Sequence, residues 1–211
     1  LYGAFQDWDG LLPYAYRGDT VWSNRDYVAL MYDFDRHMTK LVAITVAALL
    51  FRRNDISTGG DLLRVVTTRQ DVLEEAYGNA GMAFSSVTHA LGSWLDDPFE
   101  PPDGYLPGYA TLMRRMEIDK GETHSVSDAP GAPDDHVYKT DTDELEWHYD
   151  HENIDDSFVK ADTNNVQVLA GAIGSQQFWF GKGVFAGGGT IDVDPITSSA
   201  LIAVIRRDTT G

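Results

Sequence analysis

The sequence predicts an α+β fold in which a helical opening gives way to a mainly antiparallel β-sandwich. Three observations predict it. Apolar residues recur at helical spacing up to Arg53 and at a period of two from Met113 onward. In the second region, strand-like runs follow one another every 10–15 residues or so, separated by Gly, Asn and Asp, as in an antiparallel sandwich. Between the regimes, Ser57-Thr-Gly-Gly60 carries neither period and marks a boundary, giving parts 1–57 and 58–211.

Residues 1–9 read as the tail of a helix that Gly10 ends. Leu11 to Tyr16 is a short apolar strand, with Pro13 suited only to its start. Arg17 to Tyr32 is a loop. Asp35 or Thr39 caps the next helix, which runs to Arg53. That helix is apolar around most of its circumference, so Leu41, Ile44, Val46, Leu49 and Leu50 are expected to be buried. Its Arg52-Arg53 end suits the negative pole of the helix dipole. The apolar run Leu41–Phe51 is about half of what a membrane span needs, so it reads as a buried helix. Leu62 to Thr67 is a strand and Arg69 to Tyr77 a short helix ended by Gly78-Asn79. Asp96 to Gly104 is an acidic, Pro-rich loop. The later strands are Leu145–Tyr149, Phe158–Ala161, Val166–Ala170, Phe178–Phe180, Thr190–Val193 and Ala200–Ile205.

The 211 residues carry a formal charge of −17, with 25 Asp and 8 Glu against 11 Arg and 5 Lys. A field of that sign repels phosphate backbones and excludes nucleic acid as a partner class. Abundant Asp with scarce Lys suggests adaptation to high salt. The alternatives are an ordinary acidic secreted protein or a set of calcium sites. There is no Cys, which excludes disulfides, Cys-ligated zinc and thiol nucleophiles.

Few residue patterns carry chemistry. Glu144 and Glu146 lie two apart on one strand, roughly 6–7 Å along the backbone. Such a pair is either a solvated strand edge or the two carboxylates of a glycosidic hydrolysis. Asp141-Thr-Asp143-Glu144 has part of a calcium loop but lacks the Gly and the distal Glu at the required positions. No cofactor is expected, with calcium the one candidate. The six His form no metal-ligand spacing, and no phosphate loop or nucleophile elbow occurs. Trp147, Trp179 and Phe180 on sandwich strands read as core between sheets, or else as a carbohydrate platform.

Five segments, taken in order, carry a family resemblance. Ala4-Phe-Gln-Asp-Trp-Asp-Gly-Leu-Leu-Pro-Tyr-Ala-Tyr16 resembles "A-x-Q-D-W-D-G-[IL]-x-x-[FY]-[AS]-Y". Ala47-Ala-Leu-Leu-Phe-Arg-Arg-Asn-Asp-Ile56 resembles "A-A-x-x-F-x-R-G-D-[VI]", with Asn54 where Gly is usual. Lys139 to Tyr149 resembles a "S-D-T-G-E-[IL]-x-W-D" hairpin, and Phe158 to Gly171 the "[FV]-x-[IV]-[DN]-T-P-x-x-Q-x-x-x-G" strand pair after it. Asp194 to Gly211 resembles "P-I-x-x-S-x-x-[IL]-L-[IV]-x-x-x-x-R-x-x-N-T-G". These are patterns of bacterial (β/α)8 glycoside hydrolases of the cellulase and β-galactosidase type; residues 60–135 match least.

The resemblance implies that 1–57 is a helix–strand–helix remnant of the barrel and 58–211 an accessory sandwich with a helical insertion. The family's two catalytic glutamates would both precede residue 1, so no catalytic residue is expected in this chain. Tyr14, Tyr16 and Trp22 would stand where the barrel strand opens onto the sugar cleft, with Arg17 beside them to bind a hydroxyl or an acidic sugar. Core packing is the alternative for Tyr14 and Tyr16. The expected partner is a polysaccharide or oligosaccharide, in a secreted or periplasmic setting, with no membrane contact. The long helix, lacking its barrel, would find cover in an oligomer or in the missing barrel itself. A self-standing carbohydrate-binding module and a structural or assembly sandwich without ligand remain as alternatives.

Overall fold

A computed structural model describes residues 1–10, 38–70, 107–123, 125–149, 157–174, 176–194 and 200–207. Its helices are α1 (Tyr2–Phe5), α2 (Met38–Arg53) and α3 (Ala110–Met113). The strands are β1 (Leu62–Thr67), β2 (Arg115–Lys120), β3 (Ser125–Val126), β4 (Val137–Lys139) and β5 (Leu145–His148). They continue as β6 (Phe158–Asp162), β7 (Val166–Gly171), β8 (Gln177–Phe180), β9 (Gly189–Asp192) and β10 (Ala200–Ile205), with a 3-10 turn at Gly183–Phe185.

The fold is α+β with mostly antiparallel sheets. A five-stranded sheet in the order β10-β7-β6-β5-β4 is antiparallel throughout. Its turns follow from side chains that answer the backbone. Between β4 and β5, Thr140 Oγ1 accepts from Leu145 N (3.1 Å) and Asp143 turns the chain with a left-handed φ of 53°. Between β6 and β7, Thr163 Oγ1 accepts from Val166 N at 3.0 Å.

Alternation along these strands separates two apolar faces. Leu145, Ala161, Val166 and Val168 pack with Ala4 and Phe5 of α1 and with Leu50 and Ile56 at the end of α2. On the opposite face, Leu169, Phe158 and Ile202 pack against Phe178, Phe180, Ile191 and Val193 of the β8–β9 hairpin. The sheet is therefore layered between helices and a two-stranded hairpin, an arrangement compatible with a β-sandwich. The first cluster draws on residues from both sides of position 57.

A second sheet, ordered β2-β1-β3, buries Leu63 and Val65 beside Ala110. Here the structure departs from the expected antiparallel pattern. β1 and β2 are parallel, in a register that pairs Leu62 with Arg115 and Thr67 with Lys120. Parallel strands need a long crossover, and residues 68–114 provide its length.

The helix expected to end at Arg53 does so, and Asn54 follows with φ 54°, the left-handed stop usually given to Gly. Its burial is narrower than expected. Of the five residues named, Leu50 is buried, Leu41, Ile44 and Val46 are half-buried, and Leu49 is exposed, as is Val42. The helix meets the sheet core along the stripe Val46, Leu50 and Phe51 at its C-terminal end, and that stripe covers only part of an apolar circumference. No helix among the described residues is long and apolar enough to cross a membrane. The strand at Leu11–Tyr16 lies outside the described residues, as does the Arg69–Tyr77 helix apart from Arg69 and Gln70.

Candidate functional site

Tyr14, Arg17, Tyr16 and Trp22, the residues expected to touch sugar, lie outside the described residues. Several polar residues of the quoted segments are committed to holding the fold. Gln6 donates from Nε2 to Thr111 O (2.6 Å) and Arg114 O (2.9 Å), and its Oε1 accepts from Met116 N (2.8 Å). Asp141 Oδ2 accepts from the N–H groups of Gly60 (2.7 Å) and Asp61 (2.6 Å). Glu144 accepts from Ser57 N (2.7 Å) and Ser57 Oγ (3.0 Å). Gln167, 1% exposed, donates to Thr163 O (2.6 Å) and Lys182 O (3.2 Å).

Glu144 and Glu146 are therefore not a matched pair. Glu144 precedes β5 and pins the Ser57 loop. Glu146 faces the hairpin side of the sheet, where Lys160 Nζ (3.3 Å), His148 Nε2 (3.5 Å) and Lys139 Nζ (3.7 Å) surround its carboxylate. The hydrogen bond from His148 does most to hold the Glu146 carboxyl down at about 2; burial opposes it, and Lys160 and Lys139 add to it. His148 is itself stacked on Phe158, with ring centroids 4.1 Å apart. The carboxylate is thus an ion-pair hub rather than a solvated edge.

Glu146 and Lys160 of this hub line a cleft of about 260 Å³ between the sheet and the end of β8. Asp162 closes one side. Its Oδ2 accepts from Gly181 N (2.7 Å) and its Oδ1 from Lys182 N (3.2 Å), which ties the end of β8 to β6. Lys182 reaches across to donate to the backbone oxygen of Asp143 at 2.6 Å. Trp179 stands on the rim, 60% exposed. A Cβ at Gly181 would fall 2.5 Å from Trp179 Cη2, so only glycine lets the indole lie against the backbone there.

The sequence reading of Trp147, Trp179 and Phe180 as core holds for two of the three. Phe180 is fully buried and Trp147 packs on the helix-facing core. Trp179 points outward because β8 places Phe178 and Phe180 inward, and alternation leaves the residue between them on the other side. An exposed indole beside carboxylates and ammonium groups can stack on an apolar sugar face while neighbouring groups bond its hydroxyls.

No group of three or more potential metal ligands converges among the described residues. No protein-family model, curated protein or solved structure matches this chain significantly.

Proposed function

We propose that this chain is the non-catalytic C-terminal portion of a polysaccharide-degrading glycoside hydrolase, one that braces a barrel and holds carbohydrate at the Trp179 cleft. The single observation that carries the binding role is the exposed indole on the rim of a polar cleft. The indole offers a flat apolar face with carboxylates and ammonium groups beside it, the combination that suits a pyranose ring and its hydroxyls. The geometry at Glu146 supports a binding role over hydrolysis. A general acid needs a raised pKa, whereas the Glu146 carboxyl, hydrogen-bonded by His148 and beside Lys160 and Lys139, is held at about 2.

The hydrolase reading rests on the segment patterns, and their residues have physical work consistent with it. The hairpin pattern calls for Gly where Asp143 stands, and the helix-end pattern for Gly where Asn54 stands. Both positions have left-handed φ, which Asp and Asn tolerate best after Gly. The exposed Val42 and Leu49 on α2 suit contact with a barrel or a second copy. Action on polymers suits a secreted or periplasmic setting. A self-standing carbohydrate-binding module is the second reading, favoured by Trp179 itself.

The test is twofold. The purified chain is expected to be retarded in gels containing β-linked glucan, galactan or xylan, and to release no reducing sugar from them. Trp179→Ala is expected to abolish retardation. Unchanged retardation in that variant removes the cleft from the reading. Turnover lost on changing a carboxylate of this chain overturns its non-catalytic character.

A further inference from the structure

Building on the carbohydrate reading, we infer that the Trp179 cleft takes an uncharged sugar chain and rejects the uronic-acid counterpart of that chain. The inference rests on how the cleft's charges are already used. Its two ammonium groups are engaged. Lys160 donates to Glu146 at 3.3 Å and sits 5.5 Å over the Phe180 ring, and Lys182 donates to the Asp143 carbonyl at 2.6 Å. An ammonium has three N–H groups, so each retains donors for a neutral hydroxyl. A sugar carboxylate needs more than a donor. It needs positive charge that nothing else has neutralised, and Glu146 has already drawn in Lys139 and Lys160.

The surroundings work the same way. Asp143, Glu144, Glu146 and Asp162 all line the cleft, against Lys160 and Lys182, and the chain as a whole carries −17. The indole adds a third argument. Its face is the negative part of the ring quadrupole, which attracts the C–H face of a neutral pyranose and repels an anion. Hydroxyls, by contrast, both donate and accept, and the cleft offers both roles. A uronate placed among these groups should bind at least about tenfold more weakly than its neutral counterpart at low salt.

The experiment is calorimetric titration of the 211-residue chain with hexasaccharides of β-linked glucose and galactose and with their C6-carboxylate counterparts, at about 0.05 M and about 0.5 M sodium chloride. The expected result is binding of a neutral oligosaccharide, loss in Trp179→Ala, and at least about tenfold weaker uronate binding that recovers partly at high salt. Asp143→Asn removes one carboxylate and keeps the backbone oxygen that Lys182 uses, because Asn tolerates the left-handed φ of 53°. It should narrow the gap by roughly two- to fivefold. Uronate binding equal to or tighter than neutral binding overturns this inference and leaves the carbohydrate reading standing. Binding of no oligosaccharide, neutral or charged, overturns the carbohydrate reading itself.

Discussion

Gly59 and Phe5 make one contact whose removal can be worked out in advance. Phe5 is fully buried, and the Gly59 N–H donates to its backbone oxygen at 3.0 Å. A Cβ at position 59 would lie 2.8 Å from Phe5 Cε2, 3.0 Å from Cζ and 3.1 Å from Arg115 Cβ. The ring and a β-strand residue flank it, so the extra methyl forces a shift. Gly59→Ala should cost about 1–3 kcal/mol by overpacking. Phe5→Ala should cost about 3–5 kcal/mol, from lost burial and the cavity left behind. The double variant is the decisive one. With the ring gone, the methyl has space to enter, so the combined loss should stay near that of Phe5→Ala alone, a coupling of about 1–3 kcal/mol. Urea denaturation followed by circular dichroism, with an unchanged slope, measures all three. In heat, Gly59→Ala alone should lower the midpoint by about 2–4 °C per kcal/mol for a chain of this size. A Gly59→Ala loss below about 0.5 kcal/mol, or strict additivity in the double variant, would refute the docking of α1 on the Ser57–Asp61 segment.

Three further outcomes follow from the same geometry. The Glu146 carboxyl lies at about 2 in the fold against 4.5 ordinarily, so its stabilisation is complete above pH 4.5 and is lost as pH falls toward 2. Allowing for partial exposure to water, Glu146→Gln should remove about 1–2 kcal/mol of that acid-side slope; an unchanged slope in acid titrations of stability counts against the ion-pair hub. Asn54→Gly should stay within a few tenths of a kcal/mol of the parent while Asn54→Val loses about 1–2 kcal/mol, since a β-branched residue resists φ 54°; equal midpoints for the two would deny the left-handed stop. Thermal midpoints should rise between about 0.05 M and 2 M sodium chloride, as the Debye length falls from roughly 14 to 2 Å and the −17 charge is screened; a flat or falling midpoint leaves the acidic surface to another cause.

The strands of the second half were legible because a period of two and turn-forming residues are local signals. Ala200–Ile205 and Val166–Gly171 are apolar runs bounded by such residues, and they pair with each other in full register. The parallel partner of Leu62–Thr67 was not legible, because no local period states which distant strand lies alongside. The outward face of Trp179 was not legible for a different reason. Phe178-Trp-Phe180 contains no polar residue, so alternation gave no sign of which face is wet. The hairpin's packing on Leu169 decided it. Gln6 and Gln167 show a further limit. Their amide nitrogens donate to backbone oxygens, Gln6 to Thr111 and Arg114 and Gln167 to Thr163 and Lys182, and no local period names such partners.

The polar residues in and around this cleft are largely engaged with groups of the fold itself. Asp141, Glu144 and Gln6 spend their hydrogen-bonding capacity on backbone groups of neighbouring segments, and removing any of them would strand those groups. Glu146 and Asp162 are likewise occupied, the first by cations and the second by two N–H groups. Glu146, held at about 2, is a poor proton donor at neutral pH but a rigid acceptor. Rigidity favours binding, because acceptors already held in place lose little freedom when a ligand arrives. Trp179 completes the logic. It is fixed against glycine backbone, it costs little further entropy to use, and its exposed surface is wide enough to carry most of the contact. On the proposed binding role, the sheet below it would supply position and the paired charges orientation.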